Sequence, residues 1–171
     1  MKEKELLING NKSFVLNSKA DKETDEALKE LVKGQKPSVL IITCSDSRVS
    51  PEEIFSLGLG YLFVIRTAGN VINEGELATV EYAIEHLKVK RIIVLGHTHC
   101  GAIHAAINDE TGKYLDPILR RIKTNISIIT NETMAAKMNS IGEAEYLRSK
   151  FPDYRGTIES MMYDIETSDV F

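Results

Sequence analysis

Cys44, Asp46 and Arg48 stand together in one short loop of this chain, and His97 and Cys100 in another. Two thiolates and an imidazole form a donor set that zinc favours, and His97-x-x-Cys100 puts two of the donors on one tight turn. Structural zinc sites are closed by four protein ligands, whereas catalytic ones keep a position open. Three strong donors present themselves: Cys44, His97 and Cys100. His99 and His104 are the candidates for a fourth. His99 sits between two donors, where the backbone would turn it away, and His104 falls a turn along the following helix. An open position is therefore expected, with His86, His99 and His104 as surface or packing histidines. Asp46 can bind the ion itself or accept a hydrogen bond from water on it, and Arg48 can hold it off the metal through a bidentate pair. The plainer alternatives are an exposed ion pair of little consequence and, for the thiols, a disulfide or simple burial.

Both loops follow apolar, β-branched runs, Val39 to Thr43 and Arg91 to Leu95. A run without alternation reads as a strand buried on both faces, the pattern of a parallel sheet. Leu62 to Ile65 is a third such strand, followed by the small-residue loop Arg66-Thr67-Ala68-Gly69-Asn70, where backbone can approach a ligand closely. Helices are expected between the strands: one opened by Ser50-Pro51-Glu52-Glu53 and ending near Leu57-Gly58, one over about Glu74 to Leu87, and one over Gly101 to Ile107. The alternation predicts right-handed crossovers. Donors on the first and third strands fit if those strands are neighbours and the second lies on the first strand's other side, which puts a topological switch point at the donors.

The flanks are less regular. Asn9-Gly10-Asn11 interrupts the apolar residues of the first segment, so one or two short helices are expected there, as a surface helix or as an arm on a partner subunit. Asp21 caps a better helix that Gly34 ends. An amphipathic helix is expected over about Asp116 to Thr130, a weaker one over Thr133 to Ser149, broken near Ser140-Ile141-Gly142, and a last strand over Thr157 to Ile165. The fold class is α/β: a mostly parallel sheet of about four strands plus a C-terminal edge strand, flanked by helices. It forms one domain over 1–171, with a helical arm at 1–34, a core carrying the chemistry at 35–107, and a helical region with the last strand at 108–171.

Composition sets limits on function. At 171 residues there is room for one proper core. A net charge of −4 advertises no basic face for nucleic acid or an anionic membrane. No apolar run approaches the roughly 20 residues of a membrane span. The first residues, Met1-Lys2-Glu3-Lys4-Glu5, lack a signal peptide's apolar stretch, so a cytoplasmic protein with reduced thiols is expected.

Cys44-Ser45-Asp46-Ser47-Arg48 and His97-Thr98-His99-Cys100-Gly101 together resemble the signature of the beta-class carbonic anhydrases. The similarity continues through Phe63 to Asn70 and Val80-Glu81-Tyr82-Ala83, and weakly at Met162 to Thr167. The chain departs from the family between Ala106 and Thr157 and at its abrupt end. The resemblance implies one zinc ion per subunit on Cys44, His97 and Cys100, with Asp46 and Arg48 as the catalytic dyad. It implies reversible hydration of carbon dioxide to bicarbonate and a proton, in a homodimer or larger homo-oligomer. Gln35, Phe63 and Tyr82 match the substrate pocket of the plant-like branch, partly supplied by a neighbouring subunit, and Gly101 is a further substrate contact. Two thiolates on zinc should acidify a bound water less than three imidazoles do, so activity should rise toward alkaline pH. The alternatives are a related hydrolase of carbon disulfide or another small cumulated molecule, and a zinc-binding protein without turnover.

Overall fold

The structure is a computed structural model describing residues 2–171. It divides into two compact units, residues 1–35 and 36–171.

The first unit is two helices, α1 (Lys2–Ala20) and α2 (Lys22–Leu31). Contrary to the short helices expected, α1 runs unbroken through Asn9-Gly10-Asn11. One glycine costs a helix only about 1 kcal/mol against alanine, and asparagine less, so neither forces a break. Asp21 caps α2 as expected, its carboxylate accepting from the Thr24 amide at 3.2 Å. Leu6, Leu7, Phe14 and Leu16 of α1 are exposed.

The second unit is built on a four-stranded, all-parallel sheet of β1 (Val39–Cys44), β2 (Leu62–Thr67), β3 (Arg91–His97) and β4 (Thr157–Tyr163). The order is β2-β1-β3-β4, so the first and third strands are neighbours, as the placement of the donors requires. The C-terminal strand is the fourth, at one edge. β1 and β3 are paired on both sides, which is why both read as uninterrupted apolar runs. β4 stops at Tyr163, and the chain turns back so that Phe171 exchanges two backbone hydrogen bonds with Met162, at 2.8 and 2.9 Å.

Helices cover the sheet through alternate residues. Leu40, Ile42, Ile92 and Val94 point into one core with Val80 and Ala83 of α4 (Glu74–Glu85) and with Ala144 and Leu147 of α7 (Glu132–Lys150). Ile41, Ile93 and Leu95 face the other side, against Val49 and Tyr163. A third cluster caps the C-terminal strand ends with α5 (Gly101–Ile107) and α6 (Asp116–Ile126). α6 is the shorter form of the helix expected to Thr130, ended at Ser127 by a positive φ of 53°. Asn73 and Glu76 form a reciprocal capping box at the start of α4. The helix after Ser50, α3, covers only Pro51–Ile54, and the Ser50 side chain does not cap it.

α7 corrects the break expected near Ser140-Ile141-Gly142, because it is continuous. Its apolar stripe is interrupted by buried polar residues rather than by a kink: Asn139, Ser140 and Glu143 are all fully buried. Gly142 lets α6 approach, since a Cβ there would meet the Asn125 Oδ1 at 2.5 Å. In the space so made, the Glu143 carboxylate accepts from Arg121 Nε at 2.7 Å, Asn125 Nδ2 at 2.8 Å and the Ile72 amide at 3.2 Å. Burial pushes the Glu143 carboxyl above its ordinary pKa, and Arg121 and Asn125 hold it back.

Candidate metal centre

Strand register delivers the donors. Cys44 ends β1 and His97 ends β3, neighbouring strands running in the same direction, and Cys100 follows on the turn into α5. That turn needs a left-handed residue, His99 at φ 56°, which sends its ring outward to Glu166, 2.9 Å away. His104 also leaves the centre and pairs with Glu132 at 2.6 Å, while His86 stacks on Tyr82 with ring centroids 5.1 Å apart. None of these three joins the donors.

Among the described residues, Cys44, His97 and Cys100 form the one group of three or more His, Cys, Asp or Glu side chains able to hold a metal ion. Their donor atoms lie within 4.8 Å of one another, and all three residues are buried. The sulfurs are 3.9 Å apart and both cysteines are free, so there is no disulfide. Two sulfurs at the usual Zn–S length of about 2.3 Å on a tetrahedral ion stand roughly 3.8 Å apart, close to this spacing. His97 Nδ1 lies 2.8 Å from the Thr98 carbonyl, which can only accept, so the proton is on Nδ1. Nε2 is left buried with a lone pair and no partner. An unpartnered buried nitrogen is costly, and an ion between it and the two sulfurs would satisfy it. The donor set fits a tetrahedral, thiophilic cation with one position to spare.

The charge at the centre is already arranged for a cation. Hydrogen bonding from Cys100, with smaller help from the Gly69 amide, draws the Cys44 thiol below its ordinary range against the effect of burial. The same contact, with burial, pushes the Cys100 thiol up. Gly69 N donates to the Cys44 sulfur at 3.3 Å.

Asp46 is not one of the three donors. Arg48 grips both its oxygens, Nε to Oδ1 at 2.9 Å and Nη2 to Oδ2 at 2.8 Å, and the Arg48 amide adds a third bond at 3.0 Å. This guanidinium holds the Asp46 carboxyl well below the usual carboxylate range. Arg48 is itself anchored on the His99 carbonyl at 3.0 Å, which ties the two loops together. Arg66, at the end of β2, donates to the carbonyls of Cys44 at 3.1 Å and Asp46 at 2.6 Å and so fixes the loop's backbone. Sequence reading placed Arg66 in a loop and gave it no part; its position on an edge strand, one register step from Cys44, is what brings it here.

The other expected site residues are distributed differently. Gly101 is beside Cys100, exposed at the first position of α5. Phe63 and Tyr82 are near each other, with ring centroids 6.2 Å apart. They are not at this chain's own donors: Phe63 is in register with Leu40, four residues before Cys44, or roughly 13 Å along the strand. Gln35 is the last residue of the N-terminal unit.

A family model described as carbonic anhydrase matches residues 39–147, more than half of the chain. Carbonic anhydrase 2 of Mycobacterium tuberculosis is 48% identical over 101 residues, covering 56% of this chain and 49% of its own length. A carbonic anhydrase of Emericella nidulans is 40% identical over 121 residues, covering 68% of this chain and 52% of its own. The chain thus spans about half the length of the curated relatives it matches. Among solved structures, a tetrameric beta-carbonic anhydrase of Sordaria macrospora superposes with a TM-score of 0.88 at 25% identity, over 100% of this chain and 96% of that one. The beta-carbonic anhydrase CafA of Aspergillus fumigatus gives 0.79 at 26% identity, over 99% and 89%. The all-parallel sheet, the Cys-His-Cys cluster and these likenesses agree: the chain belongs to the beta-carbonic anhydrase family.

Proposed function

We propose that this protein catalyses the reversible hydration of carbon dioxide to bicarbonate and a proton, with zinc on Cys44, His97 and Cys100 and with Asp46 and Arg48 as its dyad. The observation that carries the reading is the orphaned His97 Nε2 facing two sulfurs 3.9 Å apart, beside a carboxylate fixed by a guanidinium. When bound, zinc would supply the Lewis acidity that makes water a nucleophile near neutral pH. Asp46, kept ionised by Arg48, can only accept a hydrogen bond, so it would orient the attacking oxygen by taking its hydrogen. Arg48 would hold that carboxylate back from the ion and leave the fourth position to water and substrate.

The substrate pocket is proposed to be completed by a second copy of the chain. Phe63 and Tyr82 lie along β2 and α4 away from their own donors, and Tyr82 is half exposed. The exposed apolar side chains of α1 are the kind of surface a homo-oligomer covers, and the Sordaria relative is tetrameric. Gln35, Phe63 and Tyr82 are the residues behind assignment to the plant-like branch. No helix among the described residues is long and apolar enough to cross a membrane. Two free thiols this close suit a reducing compartment, and the cytoplasm is the proposed location.

Stopped-flow hydration of carbon dioxide, on protein of known zinc content from neutral to alkaline pH, tests the reading. Activity should climb with pH and disappear in Cys44→Ala and His97→Ala, with Asp46→Ala keeping its zinc and losing most turnover. Stoichiometric zinc with no hydration even at alkaline pH would overturn it in favour of another small substrate or a binding role.

A further inference from the structure

The buried polar face of α7 reaches the metal centre through a single residue. Asn139 Nδ2 donates to the Gly69 carbonyl at 2.8 Å, and Gly69 N donates to the Cys44 sulfur at 3.3 Å. Gly69 is thus held at both ends, by a helix on one side and by a donor sulfur on the other. The Asn139 amide cannot flip, because its Oδ1 accepts from Asn125 Nδ2 at 3.0 Å. Asn125 is bound in turn to Glu143, which also takes the Ile72 amide three residues beyond Gly69. The segment from Gly69 to Ile72 is therefore strapped to α7 at two points. Its conformation needs such a strap: Gly69 and Asn70 both have positive φ, 64° and 49°. Neither Asn139 nor Glu143 touches the donors or the dyad by any bond described above, and neither has a part in the proposed chemistry.

We infer that Asn139, oriented by Asn125 and Glu143, is a positioning residue that holds the Gly69 N–H on the Cys44 sulfur and so sets how strongly that thiolate donates to the metal. A hydrogen bond to a ligating thiolate draws electron density off the sulfur, which leaves the ion more Lewis acidic. Partners of this outer kind commonly change metal affinity by about 10–100-fold when removed. The inference rests on Cys44, His97 and Cys100 being the metal site.

The test uses the full chain loaded with Co2+ in place of zinc, reading the thiolate-to-cobalt charge-transfer band. Asn139→Leu fills the same space without the donor. With the Gly69 N–H released, the sulfur becomes easier to oxidise and the band should move to longer wavelength, with zinc affinity changing on the order of tenfold. Asn125→Ala, nearer the surface, keeps Asn139 but frees its orientation, and should move the band the same way by less. It decides the matter if Asn139→Leu does not fold. Leu147→Ala, which opens the core on the same helix away from the strap, should lower thermal stability and leave the band in place. A band unmoved in the folded strap variants would overturn the inference, as would an equal movement in Leu147→Ala. Failure of the unaltered protein to bind cobalt stoichiometrically would instead overturn the metal reading itself.

Discussion

Replacing Arg121 by methionine isolates the charge of Glu143, a fully buried carboxylate outside the donor cluster. Glu143 has a side chain with 0% exposure, against 24% for Arg121, its only cationic partner in the bonds described. Methionine keeps an aliphatic contact with the Tyr146 ring, over which the guanidinium now sits at 3.9 Å. Breaking a buried pair from one side costs about 3–5 kcal/mol. Glu143 would retain Asn125 and the Ile72 amide, which places the expected loss at the low end, about 3 kcal/mol. For a chain of this size that is a fall in melting temperature of about 6–12 °C. The pH dependence gives a second, sharper signature. Burial already raises Glu143 above its ordinary value of 4.5, and removing Arg121 raises it further. A carboxyl raised on folding contributes stability fully below its unfolded pKa and loses it as pH rises through the folded one. The deficit of Arg121→Met should therefore widen from mildly acid to mildly alkaline pH, and Arg121→Met/Glu143→Gln should remove that widening. Urea unfolding at matched zinc content measures both. A deficit below about 0.5 kcal/mol, or one that is flat with pH, would refute the picture of a charged, buried Glu143.

Two further perturbations follow from local geometry. His104, raised by Glu132, should titrate above 6.5 by NMR, and Glu132→Gln should lower its midpoint. The pair's contribution is present below the unfolded value and fades as pH rises through the folded one; identical midpoints in the two proteins would disprove the contact. Gly69→Ala would put a Cβ 2.9 Å from Ile122 Cδ1 and 3.1 Å from Ala102 Cβ at a positive φ, and should cost more than about 1 kcal/mol. Adding Ile122→Val removes the nearer clash, so the double variant should lose less than the sum of the single ones; strict additivity would show that the segment simply moves.

The parts of the fold that were legible in the sequence are those whose signal is local. Val39 to Thr43 and Arg91 to Leu95 are flanked by strands on both sides, so nothing dilutes their apolar run, and the donors at their ends imply their adjacency. Asn139, Ser140 and Glu143 were not legible. Along α7 they look like solvent positions that weaken an apolar stripe; Ser140 is satisfied within the helix, by the Ala136 carbonyl, but the groups that make Asn139 and Glu143 tolerable inside come from elsewhere in the chain: Arg121 and Asn125 from α6, and Gly69 and Ile72 from the loop after β2. Periodicity reports which face a residue is on and says nothing of what waits there. Asn9-Gly10-Asn11 misled in the opposite way, since poor helix formers lower a helix's stability without choosing an alternative. At the centre itself, residue types pointed to the three side chains that cluster and could hold an ion, while the groups around them, the Gly69 amide and the Arg66 guanidinium, needed the register of β2 to be found.

The two halves of the donor cluster are far apart along the chain, with Cys44 and Cys100 separated by 56 positions. Between them lies the whole of the crossover through β2 and α4, so the cluster does not exist until the middle of the sheet has been assembled in its correct order. An ion seated there acts as a clasp on topology. It rewards one arrangement of the strands and no other, since a chain with β1 and β3 apart would offer it two donors at most. Holding a free ion at 100 times its dissociation constant would then add about 2.7 kcal/mol to the native state. Metal supply would thus bear on how much of this protein persists in its folded form, as well as on what the folded protein can do.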